Sequence, residues 1–270
     1  MSAPTIRVSA DWLALREPAD ASARSHDLAR RLLPLLPADR VITVHDLGSG
    51  TGSMMRWLAP KLPTSQRWVL HDRDADLLDV VRSAAPPVAV RSLETRTDDI
   101  TRLTPAALAD ADLITASALL DMLTLKELDR IVTSIVAAGC PSLLTISVIG
   151  HVALSPADPL DPVITAAFNA HQRRTVDDRS LLGPEAVDAA DRAFASHGWT
   201  TRRESSPWRL GPGDADLIAE WLDGWVGAAI EWDPSLAGAA HAYLADRSAA
   251  AGRGTLNVSV DHVDLLAVPR

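Results

Sequence analysis

The chain predicts an α/β fold, a mostly parallel sheet with helices on both faces, and three observations point there. First, Val41-Ile42-Thr43-Val44-His45-Asp46 is a largely β-branched run that ends in an acid and passes into Leu47-Gly48-Ser49-Gly50-Thr51-Gly52. Apolar residues then recur at helical spacing over Ser53-Met54-Met55-Arg56-Trp57-Leu58, so strand, tight loop and helix follow one another. Second, strand and helix patterns alternate four times, which implies parallel strands joined by right-handed crossovers. Third, 270 residues with 47% hydrophobic content can bury a full core, and one elaborated α/β domain fits this length better than two.

Composition narrows the function classes. A net charge of -9 argues against a nucleic-acid groove, which needs a basic face. Cys140, the single cysteine, allows no internal disulfide and reads as a small buried hydrophobe before Pro141. Met1 to Asp11 lacks a charged segment followed by an apolar core, and no stretch reaches membrane-spanning length, so a cytoplasmic protein is expected. No close His/Cys/carboxylate spacing suggests a metal.

Taken in order, Trp12 to Arg24 continued by Leu28, Leu32 and Leu35 reads as an amphipathic helix, which Pro34 and Pro37 end. The second strand is Arg67-Trp68-Val69-Leu70-His71, followed by Asp72-Arg73-Asp74. Asp72 lies close to the spacing at which a strand-end acid meets ribose hydroxyls in doubly wound sheets, and a carboxylate suits a diol. Asp74 is assigned as N-cap of a helix carrying Leu77, Leu78, Val80 and Val81. A third strand is expected over Val88 to Leu93 and a fourth over Ala111 to Ala116. Thr124 to Glu127 is a capping box for a helix that stops at Gly139, and Ser142 to Ile149 is a buried fifth strand with Gly150-His151 at its end.

From Ser155 to Gly198 the pattern becomes helical, with Val163, Ile164, Ala167, Phe168 and His171 on one face and a second helix opened by Gly183-Pro184-Glu185. Asn169 to Arg179 between them is polar and aperiodic, the natural place for a substrate-facing insert. Trp199 to Leu210 is the sixth strand, and a helix with Leu217, Ile218, Trp221, Leu222, Trp225, Ala229 and Ile230 on its apolar face follows. Tryptophans at helical spacing read as core or interface, and a homodimer is compatible with them. Thr255 to Val268 alternates partly, as an antiparallel last strand would. The expected divisions are a helical cap over 1–37, a core over 38–153, a helical insert over 154–199 and C-terminal strands and helix over 200–270.

Asp46-Leu47-Gly48-Ser49-Gly50-Thr51-Gly52 resembles the first motif of class I S-adenosylmethionine (SAM) dependent methyltransferases, an acid followed by x-G-x-G-x-G. The runs Ala167 to Arg173, Leu182 to Pro184 and Ser206 to Asp214 are also similar to runs in bacterial members of that family, though they name no substrate. The resemblance implies a Rossmann-like sheet of seven strands with the last antiparallel. It further implies SAM as cofactor, with Asp46, Gly48, Ser49, Gly50 and Gly52 cradling its methionine and ribose, and Asp72 with neighbouring Arg73 at the ribose. Asp98 or Asp99 would accept from the adenine amino group, the pair Asp99-Ile100 fitting better. A helix before the core would close over the cofactor, where Arg16, Asp20 and Arg24 could meet its carboxylate or amino group. Ser117 and Asp121, after the fourth strand, are candidates for the same pocket.

The implied activity is methyl transfer to an O, N or C nucleophile of a small molecule. Orientation can supply roughly 7–11 kcal/mol of such a barrier, and a base matters only if the acceptor loses a proton. The candidate bases are His171, His151 and Asp121, with Asn169 and Gln172 orienting the substrate. Two other readings compete. An NAD-dependent oxidoreductase is disfavoured by Ser53 at the third small position of the dinucleotide fingerprint, and the other is a SAM-binding protein without turnover.

Overall fold

The computed structural model describes residues 8–270; of the expected cap, residues 1–7 lie outside that range. Two helices, α1 (Ala10–Ala23) and α2 (His26–Leu32), stand where one was expected. They are followed by β1 (Ile42–Leu47), α3 (Ser53–Leu58), β2 (Gln66–Asp72), α4 (Ala75–Ser83), β3 (Val90–Thr97), β4 (Leu113–Ser117), α5 (Leu125–Ala138) and β5 (Ser142–Ser155). The rest comprises α6 (Asp161–Gln172), the short hairpin β6 (Thr175–Val176) and β7 (Arg179–Ser180), then α7 (Ala186–Ser196), β8 (Thr200–Ser205), β9 (Trp208–Leu210), α8 (Ala215–Trp232), α9 (Ala237–Gly252) and β10 (Asn257–Val268).

The sheet is ordered β3-β2-β1-β4-β5-β10-β8, with β9 also on β10. Strands β1 to β5 are parallel, and β10 runs antiparallel to its neighbours, as the sequence implied. The sixth strand is broken in two: β8 pairs with Val263 to Val268 and β9 with Val258 to Val260. Pro207 at the break has no N–H for the ladder, and Ser206 turns its hydroxyl to Asp264 at 2.6 Å. β3 also lies two residues later than expected.

Alternation along the strands sorts the core. Leu113, Leu143 and Leu266 face a layer holding Leu28 and Leu32 of α2, Met54 and Leu58 of α3, and Leu78 of α4. Ile114, Leu144 and Leu265 face the opposite layer, with Leu128, Ile131 and Ile135 of α5 and Phe194 of α7. The capping box of α5 forms as expected, Thr124 accepting from the Glu127 amide, and Gly139 closes the helix at φ 69. Asp74 caps α4, accepting from the Asp76 amide at 3.0 Å.

The largest departure from the sequence reading is β5, which runs on to Ser155 where an end at Ile149 was expected. β4 stops pairing with it at Ser117↔Thr145, so Ile146 to Ser155 rises past the carboxyl edge of the parallel strands. β10 follows it from Ala267↔Ser142 to Asn257↔Ser155, with two register shifts. A third apolar cluster gathers on this extension. It holds Leu154, Trp208, Leu217, Trp221, Trp225 and Tyr243, with Trp12 and Leu15 of α1 packed against it. Trp221 and Trp225 stack at 4.9 Å inside it, whereas Trp232 is half exposed. Helix α9 was not foreseen as an element, because its Ala-rich sequence buries few residues, chiefly Ala240, Tyr243, Arg247 and Ala251.

Candidate functional site

Parallel pairing brings the tips of β1, β2 and β4 side by side, with Leu47 opposite both His71 and Ala116. The glycine turn follows β1 there. Gly48, Gly50 and Gly52 have φ of 65, 53 and 82, a region that favours glycine. A Cβ on Gly48 would lie 2.9 Å from Leu119, and one on Gly50 3.0 Å from Leu13, so the loop is enclosed by the segment after β4 and by α1. The buried carboxylate of Asp72 accepts from the Gly50 amide at 2.8 Å and the Asp74 amide at 2.9 Å. The bare turn and the neighbouring strand-end acid therefore meet, as their order along the chain implied. Arg73 follows on the exposed side of that turn.

Helix α1 crosses this loop. Glu17 takes a 2.7 Å hydrogen bond from Arg56 Nε, whose Nη1 donates to the Thr51 carbonyl. Arg16 forms a two-point pair with Asp20, which also accepts from Trp208 Nε1 at 2.9 Å. Arg24 goes further inward. It is 1% exposed, and its Nη2 donates to Ser53 and Ser117, both at 3.0 Å. Among the described residues its Nε and Nη1 have no partner, nor do Asp46 Oδ2 and Ser49 Oγ nearby in the motif. Burial lowers the pKa of Arg24, against the attraction of Asp20, Asp46 and Asp264. Burial also pushes the Asp46 carboxyl up to about 7, despite a 2.7 Å hydrogen bond from Thr115.

What seats Arg24 is Asp264, a residue the sequence reading passed over. Its Oδ2 accepts from the Ser25 amide at 2.7 Å, at the break just after Arg24 where the Ser25 hydroxyl also caps α2. Its Oδ1 accepts from the Ile146 amide at 2.8 Å, where Ile146 has φ 55, an uncommon conformation for a β-branched residue. An acid in the middle of an apolar strand was the available signal, but its partners lie 58, 118 and 239 residues away.

The remaining candidates divide. Asp121 stands two residues beyond Leu119, which packs on Gly48; its surface is only partly covered, yet protein surrounds the carboxyl and burial pushes its pKa up to about 6. Asp98 and Asp99 take different partners, Asp98 facing His71 Nδ1 at 3.0 Å and Asp99 accepting from the Thr101 amide and hydroxyl. Asn169 donates to the Gly150 carbonyl at 2.7 Å and leaves Oδ1 unpartnered, and Gln172 packs on Gly183 with Oε1 unpartnered.

The two histidines are not gathered into the Arg24 and Asp72 group. Because β5 continues, His151 stands exposed within a strand, with Nδ1 2.8 Å from Asp261. His171 is buried between α6 and α8, 3.1 Å from Glu231 and 3.2 Å from Arg174, and burial lowers its pKa. Among the described residues no cluster of three or more His, Cys, Asp or Glu is arranged for a metal. No helix among them is long and apolar enough to cross a membrane.

Residues 44–141 match the family model described as a methyltransferase domain. No curated protein matches the chain in sequence. Among solved structures, a mycolic acid cyclopropane synthase complexed with SAH and CTAB is similar at 15% identity and TM-score 0.52, over 96% of this chain and 94% of that one. A cyclopropane synthase from Mycobacterium tuberculosis gives 16% identity, TM-score 0.52 and the same coverage. Geranyl diphosphate C-methyltransferase from Streptomyces coelicolor, in complex with Mg2+, geranyl diphosphate and S-adenosyl-L-homocysteine, gives 15%, TM-score 0.50, and 93% and 80% coverage. These likenesses establish the fold.

Proposed function

We propose that this chain, a class I SAM-dependent methyltransferase, transfers the methyl group of SAM to a small-molecule O, N or C nucleophile bound between the glycine loop and the cap. The observation that carries the cofactor reading is the half-paired Arg24. A guanidinium 1% exposed with two nitrogens unpartnered is costly unless an anion completes it, and an amino-acid carboxylate is such an anion. The open Asp46 Oδ2 and Ser49 Oγ supply acceptors for an ammonium beside it.

In this reading the Gly48 to Gly52 backbone and Asp46 hold the methionine part, with Arg24 and Ser117 at its carboxyl end. Asp72 with Arg73 takes the ribose, and Asp98 or Asp99 the adenine. SAM, when bound, supplies an electrophilic methyl and a neutral leaving group. The chain contributes orientation, and the α1 helix over the loop excludes water. Asp121 is the candidate base, since a carboxyl near pH 6 accepts a proton under neutral conditions. Asn169 and Gln172, each with an open acceptor, form the substrate wall on the insert over 154–199.

Isothermal titration with S-adenosylhomocysteine tests the cofactor, and transfer of labelled methyl into a metabolite extract tests turnover. We expect saturable one-site binding, and label incorporation that rises with pH through about 6 and loses this rise in Asp121→Asn. Binding of NAD without S-adenosylhomocysteine would overturn the cofactor assignment. Binding without incorporation would leave a SAM-binding protein.

A further inference from the structure

Two imidazoles meet inside the sheet. His45 on β1 and His71 on β2 are both fully buried, with His45 Nδ1 2.9 Å from His71 Nε2. A carboxylate stands at each end of the pair. Asp110 lies 3.1 Å from His45 Nε2, and Asp98 lies 3.0 and 3.2 Å from His71 Nδ1 through its two oxygens.

This line of four groups has three gaps, and each gap needs one proton if both carboxylates are ionised. Two neutral rings carry two. Burial lowers the pKa of both histidines, that of His45 to about 4, so near neutrality one gap goes without. Asp110 is the end that tolerates it, being half exposed and already receiving Arg67 Nη1 at 2.6 Å. Both Asp98 oxygens, in contrast, face the same ring nitrogen.

We infer that His71, with its tautomer set by His45, is the positioning residue that holds Asp98 as the adenine acceptor. His45 Nδ1–H donates to His71 Nε2, and His71 Nδ1–H donates to Asp98, so both rings carry their proton on Nδ1. The donated hydrogen bond holds Asp98 turned toward the ring, with lone pairs left for the amino group of the base. The Asp98 amide also donates to the Asp72 carbonyl at 3.1 Å, which couples this acid to the ribose acid. Asp99 is then left to its turn with Thr101. The inference rests on the SAM reading above for the ligand, but not for the tautomers.

Two measurements test it. Nitrogen-15 imidazole spectra of the full chain at pH 7 should show His45 and His71 both neutral and protonated on Nδ1. Protonation of both on Nε2 would mean the line points to Asp110 and would overturn the inference. In titrations, S-adenosylhomocysteine should bind at least about tenfold tighter than its 6-deamino analogue. His71→Phe should reduce that ratio to less than about threefold, and His71→Asn, which keeps a donor near Nδ1, should restore it. A ratio near one in the unsubstituted chain, or an unchanged ratio in His71→Phe, overturns the role of Asp98. Failure to bind either compound would instead remove the SAM reading, with the spectra still deciding the relay.

Discussion

Two buried arginine and aspartate clusters, one at the glycine loop and one between α6 and α9, are finished differently. Between α6 and α9, Asp161 Oδ1 accepts from Tyr243 at 2.6 Å and Arg247 Nη2 at 2.9 Å, and its Oδ2 accepts from the Asp158 amide. Arg247 Nη1 donates to the Pro156 carbonyl, so among the described residues only its Nε is open. At the glycine loop, Arg24 has two open nitrogens and Asp46 an open oxygen, with Ser49 open beside them. Both arginines are buried to a similar degree, at 6% and 1% exposed. Closure marks the first as structural; in the proposed reading a ligand would complete the open valences of the second.

The sharpest way to break this contrast is at the closed cluster between α6 and α9. Asp161→Ala leaves Arg247 buried without its acid and should cost about 3–5 kcal/mol, seen as a clear fall in thermal midpoint. Affinity for S-adenosylhomocysteine in the folded fraction should hold. If affinity falls while stability is unchanged, the two clusters have been assigned the wrong way round.

Arg24→Met should do the reverse. Removing an uncompensated charge leaves the midpoint of the ligand-free protein unchanged or raised, whereas affinity for S-adenosylhomocysteine falls by roughly ten- to a hundredfold. Methylthioadenosine, which lacks the amino-acid part, should bind both proteins alike. Equal losses for the two ligands would place Arg24 outside the carboxylate site.

A smaller effect separates the clusters by pH. With the Asp46 carboxyl raised to about 7 from an ordinary value near 3.8, the folded chain holds this proton when the unfolded chain has released it. Stability contributed by the protonated form is therefore present below about pH 4 and lost as pH rises toward about 7. Urea unfolding across that window should show a negative slope that Asp46→Asn reduces but does not abolish, since burial also raises Asp121 and Asp264. A slope unchanged by the substitution would mean that Asp46 is already ionised when ligand-free.

Much of the site was legible because its signals are local. Three glycines within five residues reported a turn that other residues rarely adopt, and Asp72 and Asp74 were told apart by position at a strand tip and at a helix start. Arg24 was legible only as one of several charges on an amphipathic helix. Its burial goes with the Asp264 contact at the Ser25 break, and neither periodicity nor capping preference in residues 12 to 35 carries information about a carboxylate in the last strand. His151 was misplaced in the same way, because Gly150 reads as an end yet β10 continues to pair beyond it.

By itself the sequence determined the order of strands and helices from β1 to β5, the bare corner after β1, the acid at the tip of β2 and the caps of α4 and α5, since each rests on backbone sterics or on contacts within a few residues. Only the tertiary structure decided how far β5 runs, where the N-terminal helix breaks, and which charged groups close on each other or stay open. Those outcomes are set by pairing and burial between residues far apart in the chain, where water is displaced and a polar group must find its partner in another element or go without.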